Sequence, residues 1–70
     1  MNLTVLIERD EHSEMLVGSV AAVRSAYTQG ASTAEVPANM REVLEMLAEE
    51  GMFDAACGFT LSVEYAATAA

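Results

Sequence analysis

Residues 27–47 read YTQGASTAEVPANMREVLEML, and their reading decides the fold. Gly30 punctuates the chain, and Ser32-Thr33-Ala34-Glu35 has the S-x-x-E spacing in which a hydroxyl and a carboxylate satisfy the orphan amides of a helix start. Val36, Met40, Val43, Leu44 and Leu47 then recur at i, i+4, i+7, i+8 and i+11, one apolar stripe at helical period. Asn39, Glu42, Glu45, Glu49 and Glu50 fall off the stripe, and Gly51 is placed to end the helix in a left-handed cap. Pro37 leaves two starts open. If Ser32 is the cap, Pro37 removes a backbone bond to Thr33 and distorts the first turn; otherwise the regular helix starts at Pro37.

Outward from this helix the chain alternates. Leu3, Val5 and Ile7 interleave with Thr4, Leu6 and Glu8 at the strand period of two, and Phe59, Leu61, Val63 and Tyr65 do the same with Thr60, Ser62 and Glu64. The polar run Arg9 to Ser13 suits a hairpin connection, after which two strands are expected over Glu14 to Val20 and Val23 to Tyr27, with Gly18 marking a bulge or bend. Met52 to Gly58 is a connector. The expected fold is α+β, in the order β-β-β-α-β, with one helix packed on a small mixed sheet whose last strand runs parallel to the first. One helix covers one sheet face, so the other face or an edge is left for a partner. Residues 1–70 make a single domain, with 66–70 expected to fray.

The charge balance narrows the function. Eleven acidic residues face three basic ones, a formal net charge of −8, with no lysine. Such a chain has little with which to displace counterions from a phosphate backbone, so direct nucleic-acid binding is not expected. A basic protein partner is the natural complement, the alternative being that the acidity serves solubility alone. A 70-residue chain with four aromatic residues builds a thin core, which self-association into a dimer or tetramer would thicken. The single cysteine, Cys57, forms no internal disulfide, and one Cys with one His makes no zinc set. With no export signal and no membrane-spanning run, the expected location is the cytoplasm.

No catalytic, cofactor or metal residue is expected. His12, the lone imidazole, lies in a polar loop with no nucleophile at readable spacing and reads as surface. Asp10 and Glu11 in that loop, with Glu42, Glu45 and Glu49 on the helix, are the carboxylates expected to meet a basic partner, the plainer reading being a solvated face. Cys57 between Ala56 and Gly58 reads as a small buried residue. Met40, on the apolar stripe, reads as core, while Met46 and Met52 are better placed for an oligomer contact.

Thr28, Gln29, Gly30, Glu35, Asn39 and Glu42 sit where the HicB-like antitoxin family carries a T-Q-G-x-T-x-E-E-A-x-x-N-x-x-E-A segment, and over this segment and its element order the chain resembles that family. It departs at Val23-Arg24-Ser25-Ala26, where the family often has Pro-Gly-Cys, and at Pro37. The resemblance implies a partial ribonuclease-H or dsRBD-like fold, homo-oligomers, and an antitoxin that neutralises a small basic HicA-type RNA-cleaving toxin by masking its active site. Many members add a DNA-binding module after the last strand. The alternative is an orphan homo-oligomeric module of the same fold with no toxin partner. A hydrolase built on Glu8 and Glu64 is a third reading, for which the strands offer no evident carboxylate cluster.

Overall fold

The computed structural model describes residues 1–55 and 58–66. Four strands and one helix follow in the expected order: β1 (Asn2–Arg9), β2 (Leu16–Ser19), β3 (Tyr27–Gly30), α1 (Glu35–Glu49) and β4 (Thr60–Tyr65). The sheet order is β3-β2-β1-β4, antiparallel across β3-β2-β1 and parallel between β1 and β4. The α+β fold read from the sequence is therefore the fold observed. Met52–Ala55, Gly58 and Phe59 bridge α1 and β4, and Ala66 donates its N–H to the carbonyl oxygen of Ile7, 2.9 Å away. Cys57 and the remainder of the expected frayed tail, 67–70, lie outside the described residues.

The helix buries Val36, Met40, Leu44 and Leu47 against Leu3, Val5 and Ile7, the inward residues of β1. Gly18, read from the sequence as a bulge or bend, lies instead in regular pairing, opposite Ile7 on one side and Thr28 on the other. Its lack of a side chain serves packing: a Cβ there would run into Cγ1 of Val36 and come within 3.2 Å of Cγ1 of Val5. The helix is thereby let down onto β2.

The third strand is also displaced from its expected place. Val23 to Ala26 are not extended but form two tight turns, with the N–H of Val23 on the oxygen of Val20 and that of Ala26 on the oxygen of Val23. The N–H of Val20 closes the loop on the oxygen of Ala26, and Ser25 adopts a left-handed backbone with φ of 68°. Val20, Val23 and Ala26 are buried, so their apolar character plugs the end of the core from a loop. The strand itself is Tyr27-Thr28-Gln29-Gly30, a polar sequence that only a marginal strand position tolerates.

Both helix ends follow from local chemistry. The hydroxyl oxygen of Ser32 accepts the Glu35 N–H at 3.2 Å, and the Glu35 carboxylate turns back to accept the Ala31 N–H at 2.7 Å. The S-x-x-E pair thus braces the turn that leads into the helix, whose N-cap position is held by Ala34 without a side-chain bond. Regular helix begins at Glu35, not Pro37, which puts the proline third in the helix, where its missing N–H lies within the unpaired first turn. At the other end Gly51, with φ of 76°, donates to Ala48 and Met52 donates to Leu47, the paired bonds of a Schellman cap.

Candidate functional site

Three surfaces remain outside the core, and each collects a different chemistry. The first is the outer face of α1. Glu42, Glu45 and Glu49 follow at i, i+3 and i+7 on one exposed side, with Met46, 51 % exposed, among them. Of the carboxylates expected to face a partner, these three do come together. Met40 is fully buried, as its place on the stripe implied, whereas Met46 and Met52 are exposed.

Asp10 and Glu11 belong to a second surface. They occupy the connection between β1 and β2, at the end of the sheet where α1 begins, so the helix carries Glu49 away toward the opposite end, about 20 Å distant along a 15-residue helix. Asp10 is engaged in holding the loop: its carboxylate accepts the His12 N–H and the Ser13 hydroxyl, each at 3.0 Å, and the Ser13 oxygen accepts the Met15 N–H. A carboxylate with both oxygens occupied in a turn has less to offer a partner than Glu11, which is exposed. The loop borders the sheet face that α1 leaves bare, where Glu8, Arg9, Asp10, Glu11, His12, Val17, Tyr27 and Gln29 line a hollow of about 370 Å³. The predicted carboxylates therefore form two groups rather than one site. Glu8 and Glu64 also stand on the bare face, on neighbouring strands and offset diagonally, since Glu64 registers with Leu6. Among the described residues, no three of His, Cys, Asp and Glu gather in a set able to hold a metal ion.

The third surface was not singled out in the sequence. The helix rests chiefly on β3 and β2 and only brushes β4, so the inward side of β4 is half open. Leu61 is partly buried, Val63 is 37 % exposed and Tyr65 is 62 % exposed. At the foot of this strand Phe59 stacks edge-on against Phe53, with ring centroids 5.9 Å apart, and the Arg41 guanidinium lies 4.9 Å over the Phe59 ring. That cation-π contact ties the helix to the start of β4. Alternation in 59–65 marks the strand, but its exposure depends on where the helix settles sideways, which no pattern within the strand encodes. No helix among the described residues is long and apolar enough to cross a membrane.

The chain is similar to a UPF0150 protein of Synechocystis, 44 % identical over 46 residues that make up 66 % of this chain and 65 % of that protein. It is also similar to a UPF0150 protein of Thermotoga maritima, 43 % identical over 47 residues, 67 % of this chain and 63 % of that one. The matched segment thus spans just under two thirds of these homologues' own length, and neither name states an activity. No family model matches the chain. No solved structure matches it either.

Proposed function

We propose that this chain is a non-enzymatic, HicB-like antitoxin that binds a small basic RNA-cleaving toxin of the HicA type and neutralises it by masking its active site. The observation that carries this reading is the segregation of charge: Glu42, Glu45 and Glu49 line one exposed helix face around Met46. An acidic surface with an adaptable thioether at its centre attracts a basic protein over long range and offers apolar area on contact. The segment that resembles the family gives further support, because its residues do structural work here: Asn39 donates from Nδ2 to the Gln29 oxygen at 3.0 Å, and Glu35 holds Ala31. Those bonds fix the junction between β3 and α1 and so set the angle at which the acidic face is presented. Co-expression with the product of the adjacent reading frame tests the proposal. A stable complex and relief of growth arrest are expected; absence of both sinks the antitoxin assignment.

The alternative, an orphan homo-oligomeric module, is favoured by a different feature, the half-open strand β4. A neighbouring gene for a short basic protein supports the first reading, and its absence the second.

A further inference from the structure

The two edges of the sheet are treated differently. β3 has four residues, is covered by α1, and has the Gln29 carbonyl taken by Asn39. β4 has six residues and, Glu64 apart, lacks the devices that usually blunt an edge: it has no proline, no lysine and no bulge, and pairs regularly with β1 from Thr60 to Tyr65. Thr60 and Ala66 donate their N–H groups inward to Met1 and Ile7. Strand alternation then turns the N–H and C=O groups of Leu61, Val63 and Tyr65 outward, and among the described residues no strand lies beyond them.

We infer that a second copy of this chain pairs with β4 in antiparallel fashion, about a two-fold axis through Val63. The sequence of β4 is self-complementary in that register. Val63 faces Val63 of the second copy and Leu61 faces its Tyr65, so all three are hydrogen-bonded pairs and every outward N–H and C=O finds a partner. The same pairs join the apolar side chains left half open beside α1. On the opposite face Ser62 meets Glu64, which keeps the two Glu64 carboxylates from standing opposite each other; centring the axis on Glu64 would set like charges face to face. Glu64 is the one charged residue between Thr60 and Tyr65, so in this register each copy brings a single carboxylate to the seam, set opposite a serine. The product is an isologous dimer with one continuous sheet, β3-β2-β1-β4 followed by its mirror order, and both helices on the same face. A basic toxin strand is the competing occupant; Glu64 is the one charge β4 offers it, whereas Leu61, Val63 and Tyr65 on the helix side offer apolar pairing.

The inference stands apart from the antitoxin reading, because its test uses this chain alone. Sedimentation of the full chain over a range of concentrations is expected to show a monomer–dimer equilibrium. Val63→Lys, which opposes two ammonium groups at the axis, and Val63→Pro, which deletes an outward N–H but no bond to β1, are each expected to abolish the dimer. Amide exchange on the unchanged chain supplies a readout that does not depend on either variant folding. The amides of Leu61, Val63 and Tyr65 become protected as the dimer forms, while Ser62 and Glu64, bonded to β1, are protected throughout. A chain that stays monomeric at every concentration overturns the inference. So does a dimer that persists in both variants, or one in which the Leu61, Val63 and Tyr65 amides exchange freely.

Discussion

Two glycines illustrate how one residue type answers two different demands. At Gly18 the demand is space: alanine would set a Cβ into Cγ1 of Val36 and 3.2 Å from Cγ1 of Val5. Restricting the unfolded chain would return about 0.4–1 kcal/mol, but overpacking a closed core costs about 1–3 kcal/mol, so Gly18→Ala is expected to destabilise by about 1–2 kcal/mol in urea unfolding. Trimming Val36 alongside it relieves the collision; if the double variant Gly18→Ala/Val36→Ala is no more stable than the sum of the single changes allows, the packing account fails. At Gly51 the demand is backbone: φ is 76°, and nothing lies within 4 Å of the point where a Cβ would stand. Gly51→Ala should therefore cost about 1 kcal/mol through the left-handed conformation alone, and Gly51→Asn less, since asparagine tolerates that region. The two roles were not equally legible. A glycine after an apolar helical stripe announces its cap, whereas Gly18 is explained by Val36, a residue eighteen places on, and local sequence carries no trace of that approach.

Elements with a strong internal period were legible, and those defined by their neighbours were not. Five apolar positions at helical spacing with a hydroxyl-carboxylate start located α1, and alternation located β1 and β4. β3 was misplaced because Val23 and Ala26 are apolar for the sake of the core end, while Tyr27 to Gly30 is polar because an edge strand under a closely seated helix needs small or half-wet residues. At the start of α1 the bonds distinguish which residues matter. Ser32→Ala removes the side-chain acceptor of the Glu35 N–H but leaves the Ser32 carbonyl oxygen, also 3.2 Å away, and is expected to cost about 0.5 kcal/mol by thermal or urea unfolding. Pro37→Ala should change stability by less than about 1 kcal/mol, because a proline in the first turn forfeits no helical bond. A gain of about 3 kcal/mol, the signature of a proline lifted from a helix interior, would place the start of α1 elsewhere.

At the scale of the whole molecule the net charge of −8 acts on stability and on association with opposite sign. Within one chain Glu42, Glu45 and Glu49 repel along the helix face, and the three arginines of the sequence do little to offset them. Added salt shortens the screening length from about 30 Å at 10 mM to about 8 Å at 150 mM, so the melting temperature should rise over that range. Glu45→Gln/Glu49→Gln should flatten the rise by removing its source. Pairing between two acidic copies through β4 should likewise tighten as salt screens their mutual repulsion, since the contacts at Leu61, Val63 and Tyr65 are apolar and backbone bonds. A basic partner meeting the helix face behaves in reverse: its association rate falls steeply with salt, and Glu45→Gln/Glu49→Gln slows it at low salt while leaving the β4 dimer intact. Titrating salt while following both associations therefore assigns each to its surface. If partner capture strengthens with salt, or if the double glutamine variant dissolves the dimer, the division between an acidic helix face and an apolar sheet edge is wrong.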